Sequence, residues 1–488
     1  MSGPQLDGYE AVIGLEIHVQ LRTRTKMFCG CELSFGDEPN VHTCPVCLAH
    51  PGSLPVLNEQ AVFYGIQIGL ALGCEIAPRS IFHRKNYFYP DNPKAYQISQ
   101  YDIPLARNGE LAGVRIHRVH LEEDAAKLIH VGESGRIHGS ATSLVDFNRA
   151  GTPLVEIVTE PDLRSPAQAR EWLQLLRSTI KAIGASDVNM EEGSLRCDAN
   201  VSIRPAGSQE LGTKTELKNM NSFRFLERGI EAELERQVAL ARAGEPIEQE
   251  TLHFDPRTGT LTPLRSKEYA HDYRYFPEPD LVPLAPSKEL LDEARASLPE
   301  LPAQRLERYQ SELGIPEAQA KLLAYDGELG DYFEAAVGAG TEASAKGLAN
   351  WITGDLTARL REAAGEEGEV HAADSRVTPQ AIAELVAMVE AKQVTAQAGR
   401  EVLAKLVAEG GSPAEIVERE GLASISDSGE LEGIVAAAIE ADPDAAAKVR
   451  EGNMKAIGPL VGYVMRETKG RADGGEVTRL IRKQLGLG

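Results

Sequence analysis

The chain has 488 residues, 42% of them apolar, and a formal net charge of −22. That length exceeds one hydrophobic core and implies about three domains, and the apolar content is that of a globular protein. The acidity argues against a general nucleic-acid coat but leaves local basic patches open. The N-terminus lacks a basic region followed by an apolar stretch, and no run approaches the roughly 18 apolar residues that span a membrane. A cytoplasmic chain without a membrane partner is expected.

The first informative stretch is V-I-G-L-E-I-H-V-Q-L, from Val12 to Leu21. Its strict period of two predicts a half-buried strand, with Glu16 and His18 side by side on one face. A carboxylate and an imidazole so placed can grip a divalent cation from one side. Next come Cys29-Gly-Cys31 and Cys44-Pro-Val-Cys47, with twelve residues between the pairs. The chain has six cysteines, few for a secreted scaffold, and four of them cluster here, which favours metal over disulfide. Four thiolates without an open position describe a structural zinc site, although the first pair is tighter than the usual spacing. Cys74 and Cys197 read as buried hydrophobes.

Helices are predicted over Leu54 to Leu72, with Asn58 near its start and Gly73 after its end, over Pro166 to Ile183, and over Ser222 to Ala243, closed by Gly244 and Pro246. Between them lie further strands with polar faces. In Val119-His-Leu-Glu-Glu-Asp124 the adjacent carboxylates point to opposite sides, so only one of Glu122 and Glu123 can share a cleft with Glu16. From Leu195 to Arg204, Arg196, Asp198, Asn200, Ser202 and Arg204 alternate with small or apolar residues, and Lys214, Glu216 and Lys218 share a face in the next stretch. Each face alone reads as solvated; four together predict a cleft in which carboxylates hold Mg²⁺ while Lys and Arg neutralise nucleotide phosphates. Neither a G-x-x-x-x-G-K-[ST] loop nor a G-x-G-x-x-G turn is present, so the fold is neither a P-loop nor a dinucleotide-binding one. Glutamine synthetases, which bind ATP and Mg²⁺ on a carboxylate-lined antiparallel sheet, offer a fold-level analogy.

The loop from Phe82 to Lys94, F-H-R-K-N-Y-F-Y-P-D-N-P-K, mixes basic and aromatic residues. Such a loop either stacks a base or is pinned by its own aromatics. Asp272 to Asp280 is similar, and the Pro-rich stretch Pro277 to Pro286 marks a boundary. Beyond it Ala, Glu, Leu and Lys dominate, as in helical bundles, with looser segments at 365–375 and 409–413. From Arg450 onward eight basic side chains face four acidic ones, a local +4 that suits an anionic partner or simply a solvated helix.

Taken together and in order, these stretches resemble one family, the B subunit of the aspartyl/glutamyl-tRNA amidotransferases. The resemblance rests on V-I-G-L-E-I-H-V-Q-L from Val12, R-K-N-Y-F-Y-P-D-N-P-K from Arg84 and L-E-E-D-A from Leu121. It continues in S-L-V-D-F-N-R-A-G-T-P-L-V-E-I-V from Ser143, M-E-E-G-S-L-R-C-D-A-N-V-S from Met190 and E-L-K-N-M-N-S-F from Glu216. D-Y-R-Y-F-P-E-P-D from Asp272 and G-N-M-K-A-I-G-P-L-V-G-Y from Gly452 complete it. The resemblance implies an α+β chain in three parts. These are a glutamine synthetase-like antiparallel cradle over 1–294, a helical domain over 295–410 and a tRNA-binding helical tail over 411–488.

It also implies an ATP-dependent carbon–nitrogen ligase with glutamine as amido donor. The side-chain carboxylate of Glu-tRNA(Gln) or Asp-tRNA(Asn) would be phosphorylated and then amidated. Glu16, His18, Glu123, Asp198 and Glu216 are implied as catalytic residues and Mg²⁺ ligands, with Glu122 the alternative to Glu123. Lys85, Tyr87, Arg196 and Lys218 are implied near ATP or the tRNA end, and Cys29, Cys31, Cys44 and Cys47 would hold structural Zn²⁺. No nucleophilic Cys–His dyad and no amidase-type Ser-Ser-Lys stretch is present, so ammonia would come from the amidase (A) subunit of the complex, with the small (C) subunit at the interface. The rival reading is a zinc-containing tRNA-binding scaffold without chemistry.

Overall fold

A computed structural model describes the chain except residues 1–5, 7, 132–139, 141, 219, 266–272, 365–370, 426–427, 469 and 488. Among the residues singled out above, Asn219, Asp272, Lys469 and the 365–370 part of the looser segment lie outside the described residues. The chain divides into two compact units, residues 1–303 and 304–488.

The first unit is built on strands β1 (Tyr9–Gln20), β2 (Glu75–Ile76), β3 (Phe82–Asn86), β4 (Tyr96–Gln100), β5 (Ala106–Leu111), β6 (Val114–Glu123) and β7 (Lys127–Val131). They continue as β8 (Thr142–Asp146), β9 (Pro153–Thr159), β10 (Leu195–Pro205), β11 (Thr215–Lys218), β12 (Thr251–Asp255), β13 (Thr260–Arg265) and β14 (Phe276–Pro277). Nine of them form one sheet in the order β13-β12-β11-β10-β1-β9-β6-β5-β2, with β1 at its centre. Pairing is antiparallel except between β11 and β12, which run parallel. β14-β3-β4 form a small second sheet, and β7 and β8 form a hairpin.

Helices α1 (Glu59–Ala71), α2 (Pro166–Ile183) and α3 (Phe223–Ala243) belong to the same unit. The apolar sides of the central strands are fully buried: Leu15, Ile17 and Val19 of β1, Val155 and Ile157 of β9, and Cys197 and Ala199 of β10. Leu173, Leu176 and Ile180 of α2 and Leu226 and Ile230 of α3 are buried with them, so one face of the sheet is committed to the core. The helix limits follow their caps. Ser165 accepts from the Gln168 amide with Pro166 at the first turn, and Gly184, at φ 76°, ends α2. Ser222 does the same for α3. The first helix begins later than its sequence suggests, at Glu59, because the Val56 amide donates to Phe28 O and holds residues 54–57 extended.

Three features depart from the simple sequence reading. The parallel β11–β12 pair arises because α3 forms the crossover between them, as parallel neighbours require. The beginning of the Pro-rich stretch is sheet: Phe276 and Pro277 pair with Arg84 and His83, and Ser80 bridges Leu284. Proline is tolerated there because the strand is an edge. Lys214 precedes β11 and is exposed, so it does not share the face of Glu216 and Lys218.

The second unit is helical among its described residues and has two cores. The larger gathers Tyr309, Phe333, Trp351, Ile382 and Leu403, and the smaller gathers Leu431, Val435, Leu460, Val477 and Ile481. They are tied by Thr395 Oγ1 donating to Gly470 O at 2.6 Å and by the Ile425 amide donating to Arg471 O at 3.1 Å. Residues Trp351–Leu356 form a wide π-turn, where the Thr353 hydroxyl donates to Ala349 O and the Thr357 hydroxyl to Ile352 O.

Candidate active site

Register decides which polar residues of the open sheet face meet. Across β10, β1, β9 and β6, Arg196 lies opposite His18, His18 opposite Glu156 and Glu156 opposite His120. Asp198 lies opposite Glu16 in the adjacent row. Directly opposed residues share a face, so two cross-strand rows of charge stand side by side. Sequence alternation found Glu16, His18, Arg196 and Asp198; it did not find Glu156 or His120.

Glu156 is the hub. Its side chain is 6% exposed, its Oε2 stands 3.4 Å from His18 Nε2 and 3.2 Å from His120 Nε2, and its Oε1 accepts from Arg118 at 3.2 Å. Burial opposes ionisation, but His120 foremost and then His18 outweigh it and hold the carboxyl well below the ordinary range. Burial likewise disfavours the His120 imidazolium, yet Glu156 and Glu122 lift it to about 9. His18 is also raised: burial pushes it down, but its hydrogen bond to Glu156 and the charges of Glu122, Glu156 and Glu16 overcome that. Glu16 moves the other way from Glu156: burial, then the Glu156 charge, raise it.

Glu122, not Glu123, faces this cluster. Glu122 Oε1 lies 3.5 Å from His18 Nε2, and its Oε2 accepts from Ser99 at 3.1 Å. β6 has a register shift between Ile116 and Arg118 but pairs regularly from Val119 to Glu123, so Glu123 turns to the opposite side, where Lys94 and the Ile98 amide, at 3.0 Å, engage its Oε1. Glu123 still lines the edge of the cleft. Glu216 stands at the sheet's far side, with Lys218 at 3.0 Å and Thr251 at 2.9 Å; Lys218 also bridges Asp198 at 3.0 Å. Glu216 is therefore two strands from the Glu16–His18–Glu156 group rather than within it.

A cavity of about 410 Å³ opens on this face. His18, Lys85, Tyr87, Glu122, Arg196, Asp198 and Lys218 line it, so the lining joins carboxylates to cations. Lys85 comes from β3 and sits 4.8 Å over the Tyr273 ring; burial works against its charge, but Glu122 and other nearby groups raise it. Arg196 donates to Asp124 at 3.0 Å, and Gln20 donates to the same carboxylate oxygen at 2.9 Å. Tyr87 stacks on Tyr89 with centroids 5.8 Å apart.

One oxygen or nitrogen from each of Glu16, His18 and Glu156 lies within 4.8 Å of the others, and the Glu16 side chain is 29% exposed. Hard donors converging beside a cavity fit a divalent cation. The four cysteine sulfurs also lie within 4.8 Å of one another, with Cys31–Cys47 at 4.0 Å and Cys44–Cys47 at 3.9 Å. Zn–S bonds of about 2.3 Å in a tetrahedron require sulfurs about 3.8 Å apart, so the quartet fits a structural metal. A hydrogen bond from Cys29, aided by the Cys44 amide and the Lys26 charge, draws the Cys47 thiol down to about 4.

Comparison with known families places the chain as a whole. The GatB/GatE catalytic domain model matches residues 11–292, and a GatB domain model matches 331–485. The chain belongs to the GatB/GatE family. Relatives named as the B subunit of aspartyl/glutamyl-tRNA(Asn/Gln) amidotransferase include one from Persephonella marina, 48% identical over 98% of this chain and 99% of the relative. Another, from Anaeromyxobacter dehalogenans, is 49% identical over 99% of both chains. A third, from Thermosynechococcus vestitus, is 49% identical over 98% of this chain and 97% of the relative. The whole chain, not the catalytic part alone, is thus shared with this GatB/GatE branch.

In the tail the basic residues are partly consumed internally. Arg479 pairs with Glu476 at 2.6 Å, Lys483 with Glu432 at 3.1 Å, and Arg471 caps Thr468 O at 3.1 Å. No helix among the described residues is long and apolar enough to cross a membrane.

Proposed function

We propose that this chain is the ATP-using member of a tRNA-dependent amidotransferase, converting Glu-tRNA(Gln), Asp-tRNA(Asn) or both into their amides. The observation that carries the reading is the Arg196–His18–Glu156–His120 row beside a cavity lined with both carboxylates and cations, in a chain of this family. The nine-stranded sheet plays the part of a glutamine synthetase-like cradle over residues 1–294. Residues 295–410 form the connecting helical domain, and 411–488 the tail that meets tRNA. The amidase (A) subunit supplies ammonia and the small (C) subunit joins them in a heterotrimer.

A carboxylate is a poor electrophile, so the substrate's side chain must first be given a better leaving group. Its oxygen attacks the γ-phosphorus of ATP; the new O–P bond forms as the bond to ADP breaks. Lys85, Arg196 and Lys218 neutralise phosphate oxygens as the charge shifts, and Tyr87 borders the same cavity. Ammonia then attacks the acyl carbon, phosphate departs with the bonding pair, and the nitrogen loses a proton to a nearby carboxylate. Glu16, His18 and Glu156, with Glu122 beside them, would hold Mg²⁺, which supplies charge neutralisation at the phosphates. Asp198, Glu123 and Glu216 act at the borders: Asp198 and Glu216 place Lys218, and Glu123 holds Lys94. Cys29, Cys31, Cys44 and Cys47 take structural Zn²⁺.

The test is amide formation by the purified chain with its amidase partner, ATP and Mg²⁺, on each misacylated tRNA, then by the chain alone with free ammonia. Glu16→Gln and Asp198→Asn should leave the fold intact and abolish the ATP-dependent step. Full activity in either variant would falsify the site, and no amide in both settings would favour a tRNA-binding scaffold.

A further inference from the structure

Outside the cleft, one buried cation that the chemistry above leaves unused is Lys26. Its side chain has no exposed surface. Burying an ammonium costs several kcal/mol unless its three protons find acceptors. Lys26 Nζ donates to His42 O at 2.8 Å and to Phe147 O at 3.0 Å, and its third contact is Cys47 Sγ at 3.6 Å. Two of the three acceptors are backbone carbonyls; the third is one of the clustered sulfurs.

The surroundings show a built site. The Lys26 amide donates to Cys31 O at 3.0 Å, and the Met27 amide donates to Gly151 O at 2.7 Å. Gly151, at φ +88°, lies flat on the lysine stem: a Cβ there would meet Lys26 Cδ at 3.4 Å and Cys47 Cβ at 3.9 Å. The same turn is stitched to the cysteine lobe by the His42 amide donating to Asn148 Oδ1 at 2.9 Å and the Phe147 amide donating to Asn40 Oδ1 at 2.8 Å. On its other side the turn reaches the cleft, where the Gly151 amide donates to Asp124 O at 2.9 Å and the Asp124 amide to Thr152 O at 2.8 Å. Asp124 is the residue that holds Arg196.

We propose that Lys26 is the positioning cation of the four-cysteine site, donating to the Cys47 thiolate, offsetting the charge of the metal–tetrathiolate and fastening the lobe to the 147–152 turn. Zn²⁺ with four thiolates carries a net charge of −2, and a fully buried ammonium against one sulfur removes half of that. Outer-shell donors of this kind change metal affinity by roughly 10–100-fold. The inference rests on the reading that the cysteines hold a metal.

The experiment uses the full chain, wild type, Lys26→Met and Lys26→Gln, loaded with Zn²⁺ or with Co²⁺ as a spectroscopic substitute. Lys26→Met should release zinc to a chromogenic chelator with affinity weakened roughly 10–100-fold. Its thiolate-to-cobalt charge-transfer band should move to lower energy, because a sulfur that loses a charged hydrogen bond becomes a better electron donor. Lys26→Gln keeps N–H donors without charge and should fall between; it also decides the matter if Lys26→Met does not fold. Wild-type chain that takes up neither metal overturns the reading of the cysteines. Wild-type chain that binds metal, with variants of unchanged affinity and unchanged band, overturns the role of Lys26.

Discussion

The arrangement around Glu156 makes a sharp prediction. Glu156→Gln keeps the shape of the side chain but removes the one charge that His18, His120 and Arg118 share, at 3.4, 3.2 and 3.2 Å. Each charge-assisted contact is worth about 1.5–3 kcal/mol in isolation, but they are not additive, since all three use one carboxylate. The relevant quantity is the cost of removing one partner from a buried ion cluster, at most about 3–5 kcal/mol, since Glu122 still stands 3.5 Å from His18 and 3.7 Å from His120. In a unit of this size that corresponds to a fall in melting temperature of roughly 5–15 °C. Thermal unfolding followed by circular dichroism, in chelator and without nucleotide, measures it. Glu16→Gln is the control: Glu16 lies in the adjacent row, and burial and the Glu156 charge already disfavour its ionised form, so neutralising it should leave the melting temperature within about 2 °C. Equal melting temperatures for wild type and Glu156→Gln would refute the idea that Glu156 holds the cluster together.

Further expectations follow from the same cluster and its neighbours. His120 is raised to about 9 from an ordinary 6.5, so its stabilisation is complete below pH 6.5 and is lost as pH rises through about 9. The interval is worth roughly 3 kcal/mol, and urea unfolding of chelator-treated protein at pH 6.5 and 9 should show it, with the slope reduced in His120→Gln, where the raised His18 remains. Glu122→Gln should weaken Mn²⁺ binding, read by electron paramagnetic resonance, by at least about tenfold, whereas Glu123→Gln should not; the reverse order would return Glu123 to the cation site. Gly151→Ala should destabilise the chain by about 1–3 kcal/mol, because φ +88° suits glycine, while the added carbon would only touch Lys26 at ordinary contact distance. A neutral result in chemical denaturation would show that the turn yields at no cost.

Alternation along a strand reports which face a side chain takes, and that much was legible: Glu16 with His18, and Arg196 with Asp198, do share the open face. It does not report what stands opposite. Glu156 sits in P-L-V-E-I-V-T, a run buried nearly throughout on both faces, where a lone carboxylate among aliphatics carries no period-two signature of its own. His120 does alternate, sharing a face with Glu122 between Val119 and Leu121, but nothing in that segment shows what stands opposite it. Register brings both into line with His18, and register is a property of strand pairs far apart in the chain. The parallel β11–β12 pair was equally out of reach, since the intervening helix is legible while the side on which the chain returns is not.

Burial separates these two residues from Glu16: Glu156 and His120 are 5% and 2% exposed, whereas the Glu16 side chain is 29% exposed. A carboxylate or imidazole that reaches solvent tolerates almost any neighbour and betrays itself by polarity, as Glu16 does. One that is buried, like Glu156 or His120, survives only where a partner of opposite charge is supplied by another strand. The buried members are therefore written into the sheet's pairing rather than into any one segment. Their interdependence ties the shape of the proposed cation site to the stability of the central strands.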